Sequence, residues 1–138
     1  MFIAKTTKKE KDRGLNMATQ YWGYHLTLDC ANCDREQIKD PRNVQDFIDA
    51  LLTRIDMKPI GPTHIEYTAA EFPDKAGLTA VQIIVTSTIV AHFIDSTGDL
   101  YLDVFSCKQF DVEIVADTVE EYFRPEKTRV NYLTRQAG

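Results

Sequence analysis

The sequence predicts an α+β domain: one mostly antiparallel β-sheet with two helices on one face. Three observations lead there. Stretches that alternate apolar and polar residues, the period-2 signature of a half-buried strand, recur between positions 21 and 135. Two stretches place their apolar residues at helical spacing instead. Most of the strand-like stretches lie side by side between these two helices, as in α+β domains, rather than alternating with helices as in a parallel βαβ fold.

The first strand is "YWGYHLTLDC", residues 21–30, which alternates and ends in turn-formers. The loop "ANCDREQIKDPR" follows. "NVQDFIDALLTRIDM" then sets Val44, Phe47, Ile48, Leu51, Leu52 and Ile55 on one helical face, with Asn43 as N-cap and Pro59 just beyond the end. "THIEYTAAEF" reads as a strand, broken by the turn "PDKAG". "LTAVQIIVT" is dense in β-branched residues, and "STIVAHFID" is a further strand that turns at "STGD". "LYLDVFSC" alternates Leu100, Leu102 and Val104 against Tyr101, Asp103 and Phe105. "FDVEIVADTVEEYF" is the second amphipathic helix, with Asp111 near its start, where negative charge suits the helix dipole. Pro125 ends it, and "TRVNYLTR" is the last strand. The order is β-α-β-β-β-β-α-β, without an internal linker, a low-complexity segment or a short-period repeat. Two helices on one face leave the other sheet face to be covered by a second subunit.

At 138 residues the chain fits one domain that can bury a core without disulfides or metal. Its 43% hydrophobic and 27% charged content is ordinary for a globular protein, and a net charge of −5 carries no electrostatic footprint of a nucleic-acid partner. Lys5, Lys8, Lys9, Lys11 and Arg13 cluster, but Glu10 and Asp12 interrupt them. Residues 1–18 therefore read as a flexible basic extension and residues 19–138 as the domain, with Met17 an alternative start of translation. No apolar run approaches a membrane span and no signal-peptide pattern opens the chain, so a cytoplasmic protein without membrane contact is expected. Three cysteines, an odd number, suit a reducing compartment. Cys30 and Cys33 form a C-x-x-C, but no second pair completes a zinc site and His25 and His64 are scattered, so no metal is expected.

Chemistry concentrates in "IIVTSTIVAHFIDSTGDLYLDVFSCK", residues 83–108, through Ser87, His92 and Cys107. Taken singly, each has a plain structural reading: a turn serine, a hydrogen-bonded histidine, a small buried thiol. Ser87 and His92 also fall on opposite parities of one extended strand. They meet only if the chain bends or is freed near Thr86-Ser87-Thr88.

In combination the segment resembles the self-cleaving motif of the small prokaryotic, pyruvoyl-dependent S-adenosylmethionine decarboxylase proenzymes. That family reads Glu-Ser-His-Ile-Ser-Ile-His-Thr-Trp-Pro-Glu, then an aromatic-Gly stretch, then Val-Asp-Val-Phe-Thr-Cys. Here Thr86 to Ser96, Gly98 and Leu102 to Cys107 stand in those places, and the serine, histidine and cysteine align without a gap. "HLTLDCANCD" resembles the family's His-Leu-Leu-Leu-Asp-Leu-Tyr-Gly-Cys-Asp, and "FPDKAGLT" its Phe-x-Pro-x-Gly-x-Ser/Thr with one residue inserted. The resemblance spans about residues 22 to 135 and implies that family's α/β sandwich.

It also implies a mechanism. The Ser87 hydroxyl attacks the Thr86 carbonyl, the peptide bond becomes an ester, and β-elimination separates residues 1–86 from residues 87–138. Ser87 is left as a pyruvoyl group, whose carbonyl forms a Schiff base with the substrate amine in place of a pyridoxal cofactor. By the family's pattern His92 is the processing base, Thr79 supports processing, and Cys107 is the proton donor to the substrate carbon. Phe72, Ile94 and Asp95 fall at substrate-binding positions, and the family forms its sites across a dimer, so a homodimer or higher homo-oligomer is expected. Thr86 and Thr88 replace the family's Glu and His, and Ile94-Asp95-Ser96 replaces its Trp-Pro-Glu, which holds adenine and ribose. Losing that tryptophan forfeits stacking worth about 1–3 kcal/mol per base. Three readings follow: an S-adenosylmethionine decarboxylase serving spermidine and other polyamine synthesis, a decarboxylase of a smaller amino acid such as ornithine or arginine, or a non-processing, non-catalytic homologue.

Overall fold

The computed structural model describes residues 21–138. The expected basic extension over residues 1–18 and the alternative start at Met17 lie outside the described residues. Six strands form one sheet: β1 Gly23–Ala31, β2 His64–Thr68, β3 Gly77–Ile84, β4 Ser87–Ile94, β5 Asp99–Ser106 and β6 Lys127–Arg135. Their order across the sheet is β2-β3-β4-β5-β1-β6, and every neighbouring pair is antiparallel. The helices are α1 Arg35–Lys39, α2 Pro41–Arg54 and α3 Val112–Phe123.

The predicted α+β order is present with one addition, the short helix α1 inside the expected loop. Its start is written in the side chain of Asp34, which accepts hydrogen bonds from the backbone N–H groups of Glu36 and Gln37. The cap of α2 is Asp40, with Pro41 as the first helical residue, rather than Asn43. Asn43 instead donates through Nδ2 to the carbonyls of Gln37 and Tyr122, tying the three helices together. Asp111 caps α3, which ends at Arg124 in a left-handed conformation ahead of Pro125. The strand expected over "THIEYTAAEF" stops at Thr68, where Ala69 takes φ 57° and turns the edge of the sheet.

Alternation divides the sheet cleanly. Leu26, Leu28, Ile89, Ala91, Phe93, Leu100, Leu102 and Val104 point toward the helices and join Val44, Phe47, Ile48, Leu51, Val115 and Val119 in one core. Phe123 sits at its centre, with ring centroids 4.9 Å from Phe47 and 5.0 Å from Phe93. Burial of each such side chain contributes about 1.5–3 kcal/mol. The opposite residues of the same strands, among them His25, Thr79, His92, Tyr101, Asp103 and Leu133, form a second, half-exposed face.

Gly77 lets β3 and β4 approach: a Cβ there would lie 1.8 Å from the Phe93 carbonyl oxygen. Both strands are held by long ladders, so the backbone itself must shift to admit a methyl group. Gly77→Ala is therefore expected to destabilise the protein by about 1–3 kcal/mol, the usual cost of overpacking. Chemical denaturation of the two proteins measures it; an unchanged midpoint would contradict the close approach.

Candidate active site

The β3–β4 connection is a hairpin whose two-residue loop is Val85-Thr86, because Ile84 pairs with Ser87. Such loops favour residues that accept positive φ, as glycine and asparagine do. Val85 and Thr86 are β-branched and neither takes positive φ; the unusual backbone angle falls on Ser87, with φ 148°. A non-glycine residue held there stores about 1–3 kcal/mol, tolerated only where its surroundings over-determine it.

They do so here. Ser87 is paired to Ile84 on one side and to Ser106 on the other. The Val85 N–H donates to the Lys58 carbonyl at 2.9 Å, and the Ile60 N–H donates to the Ile83 carbonyl at 2.8 Å, strapping the hairpin from outside. The Cys107 backbone N–H donates to the Thr86 carbonyl oxygen at 2.9 Å. Below it, the Ser106 hydroxyl donates to Thr86 Oγ1 at 2.8 Å, and Thr86 Oγ1 donates to Met57 Sδ at 3.3 Å. The Cys107 side chain itself is exposed. Thr86, Ser87 and Cys107 are thus brought together at one end of β4. Ser106 and Met57, which join them, carried no signal in the sequence, since a serine and a methionine are unremarkable until their neighbours are known.

Thr79 and His92 face each other across β3 and β4 on the half-exposed side, with His92 Nδ1 3.2 Å from Thr79 Oγ1. Thr68, a third residue that sequence reasoning missed, places its Oγ1 2.7 Å from that of Thr79 and donates to the Gly77 carbonyl at 3.4 Å. With Thr68 donating to Gly77, Thr79 donates to Thr68, and its oxygen can then accept from a His92 ring protonated at Nδ1, the tautomer that keeps the lone pair on Nε2.

The structure does not bring His92 to Ser87. They stand five residue steps apart on β4, about 16 Å at strand rise, and their side chains project from opposite faces. Ile94 ends β4 and Asp95 follows it, its N–H donating to the Ala76 carbonyl at 2.9 Å beside the loop that carries Phe72. Phe72 is 57% exposed and Ile94 is half-buried. Asp95 Oδ2 accepts from the Tyr67 hydroxyl at 3.0 Å, which raises the phenol pKa, while Asp95 Oδ1 is buried without a partner. The candidate residues therefore form two groups at the two ends of one strand: Thr86, Ser87 and Cys107 at one, and Phe72, Thr79, His92, Ile94 and Asp95 at the other.

Cys30 and Cys33 belong to the core, and burial pushes their thiols up to about 11 and about 12. His25 stands on the half-exposed face, with Nε2 3.0 Å from Asp103 Oδ1 and Nδ1 3.3 Å from the Arg135 guanidinium. Among the described residues no cluster of three or more His, Cys, Asp or Glu side chains is placed to hold a metal ion.

Comparison with known proteins draws these observations together. The model of the S-adenosylmethionine decarboxylase family matches residues 24–136, almost the whole of the described chain. The chain belongs to the S-adenosylmethionine decarboxylase family. It is 26% identical over 114 residues to the S-adenosylmethionine decarboxylase proenzyme of Pyrococcus furiosus, an alignment covering 82% of this chain and 78% of that protein. The adenosylmethionine decarboxylase of Aquifex aeolicus VF5 has the same fold. It superposes with a TM-score of 0.71 at 17% identity, over 87% of this chain and 95% of that one. The expectation of this family's fold from the residues between about 22 and 135 is borne out.

The three thiols differ in a way that can be measured. At pH 8 iodoacetamide is expected to modify Cys107 within minutes, and Cys30 and Cys33 only after unfolding, because both are buried and remain protonated. Peptide mass spectrometry reads the sites. Equal labelling of all three in the folded protein would contradict the core placement.

Proposed function

We propose that this chain is a self-processing, pyruvoyl-dependent decarboxylase of S-adenosylmethionine, cut between Thr86 and Ser87 and supplying an aminopropyl donor for polyamine synthesis. One observation carries the reading: Ser87 is held at φ 148° beside a Thr86 carbonyl whose oxygen accepts the Cys107 N–H at 2.9 Å. That donor sits where negative charge develops when a nucleophile adds to the carbonyl.

The Ser87 hydroxyl oxygen adds to the Thr86 carbonyl carbon, and its proton passes to the departing Ser87 nitrogen. The C–N bond breaks, leaving an ester between Thr86 and Ser87 Oγ and relieving the strained peptide. A base then takes the Ser87 Cα proton. The Cα=Cβ double bond forms as the Cβ–O bond breaks, and residues 1–86 leave with a terminal Thr86 carboxylate. Addition of water and loss of ammonia convert the remaining enamine into a ketone on residue 87. The site fits such a group, since this end of β4 combines the strained serine with an oriented backbone donor. A pyruvoyl group supplies an electrophilic carbonyl that draws electrons from a substrate amine as carbon dioxide departs. The exposed Cys107 thiol is the proton donor to the substrate carbon.

His92 is the processing base, with Thr79 holding its Nδ1 and leaving Nε2 free. Since about 16 Å of strand separates it from Ser87 in one copy, the His92 that serves Ser87 belongs to a second copy. A homodimer that sets the start of β4 in one copy against the half-exposed face of the other brings Ser87 to the second copy's His92, Phe72, Ile94 and Asp95. Three free thiols suit a cytoplasmic setting.

A second reading keeps this machinery and changes the substrate to a smaller basic amino acid such as ornithine or arginine. The buried, unpartnered Oδ1 of Asp95 favours it, because a carboxylate oxygen with a free lone pair suits an ammonium or guanidinium group. Ile94 and Ser96 also lack the stacking and ribose contacts that a nucleoside needs.

Denaturing mass spectrometry should find two fragments, split at Thr86–Ser87, and a single intact chain for Ser87→Ala. Cys107→Ala keeps the backbone N–H, so it is expected to process normally and lose most of its turnover. Mixing unprocessed Ser87→Ala and His92→Ala proteins, each inactive alone, should restore cleavage of the His92→Ala chain if the two ends meet across a dimer. An intact wild-type chain sinks the enzyme reading. Carbon dioxide release from S-adenosylmethionine, ornithine and arginine decides between the two substrates.

A further inference from the structure

Ser106 ends a run of inward-facing positions on β5 in which Leu100, Leu102 and Val104 are all apolar and buried. It too is fully buried, at 0% exposure. A hydroxyl in such a register costs stability unless it is hydrogen-bonded. Its partner is the residue on the acyl side of the proposed cleavage.

The bonds run in one direction. The Lys108 N–H donates to Ser106 Oγ at 3.0 Å, and the Ser106 hydroxyl donates to Thr86 Oγ1 at 2.8 Å, much nearer than its second acceptor, Met57 Sδ, at 3.8 Å. Thr86 in turn directs its proton to Met57 Sδ at 3.3 Å, a thioether that can only accept. Met57 is itself 5% exposed. The residue just after β5 completes the grip, since the Cys107 N–H holds the Thr86 carbonyl. Ser106 and Cys107 thereby fix Thr86 at its side chain and at its carbonyl oxygen, while the Lys108 N–H holds Ser106. A threonine held at both points has one χ1 rotamer and presents one face of its carbonyl carbon to the Ser87 hydroxyl.

We infer that Ser106 is a positioning residue for self-cleavage, acting through the Thr86 hydroxyl to orient the carbonyl that Ser87 attacks. This rests on cleavage at Thr86–Ser87. The role belongs to the first step, ester formation, and not to the elimination that follows. It also gives the threonine that replaces the family's glutamate at position 86 a task in this chain: its hydroxyl is the handle by which the β5 end holds the acyl group.

The test is a double-mutant cycle on the full chain, with processing followed after pulsed cell-free synthesis. Ser106→Ala and Thr86→Val are each expected to slow cleavage about tenfold or more, equivalent to about 1.4 kcal/mol of barrier. The double variant should be no slower than the worse single one, because both remove the same interaction. Hydroxylamine, which cleaves the ester directly, should leave Ser106→Ala slow, since less ester is formed. The same substitutions placed in the uncleavable Ser87→Ala chain report stability separately. Wild-type cleavage rates in Ser106→Ala, additive losses in the double variant, rescue by hydroxylamine, or slowing that tracks a fall in melting temperature would each overturn the inference. A wild-type chain that stays intact overturns it together with the self-processing reading. Normal cleavage of Ser106→Ala overturns the inference alone.

Discussion

The site depends on how a two-residue hairpin is closed without a glycine. Val85 and Thr86 cannot take the positive φ that such a connection favours, so the distortion moves one residue on, to Ser87. Everything around the turn works to hold it there. The β3 and β4 ladders bring Ile84 opposite Ser87, the segment from Lys58 to Ile60 straps the outside, and the end of β5 grips Thr86 from within. Strain at a peptide bond has value only where breaking that bond relieves it, and self-cleavage at Thr86–Ser87 is the chemistry proposed for this position.

The second organising fact is that three helices cover one side of the sheet. The core they form with β1, β3, β4 and β5 makes the sheet a rigid plate, and rigidity is what keeps two separate groups of residues in register. One group lies where β4 begins, with Ser87 on the helix side. The other lies where β4 ends, with His92 on the half-exposed side. A strand cannot fold back on itself to join them. The proposed dimer solves this by symmetry, since each copy carries both halves and a two-fold axis can match unlike ends. In the proposed dimer the Thr68–Thr79–His92 chain would hold the ring of the proposed base by its Nδ1 side.

Local sequence patterns were good guides where they had one physical meaning. All six strands are legible in the sequence, and alternation correctly separates Leu100, Leu102 and Val104 from Tyr101, Asp103 and Phe105. The same parity put Ser87 and His92 on opposite faces, as found. Ends of elements were harder. Asn43 and Asp40 are both good helix caps by chemistry, and what decided between them was that Asn43 finds carbonyls on α1 and α3. The strand at "THIEYTAAEF" ends earlier than its residues suggest, because nothing in alanine signals that Ala69 turns left-handed. Ser106, Met57 and Thr68 stayed invisible for a related reason: a single hydroxyl or thioether acquires meaning only from a partner brought from another strand.

By itself, the sequence determined the α+β class, the order of the strands along the chain, the residues that fill the core and the family to which the chain belongs. These follow from periodicity and from motifs that are contiguous or closely spaced, and both survive in one dimension. Only the tertiary structure decided which strands are neighbours, that the Cys107 N–H falls on the Thr86 carbonyl, that φ 148° lands on Ser87, and that the serine and the histidine lie at different ends of the plate. Those outcomes are set by antiparallel register between distant segments and by how far a strand extends per residue, quantities that no local pattern of residues contains.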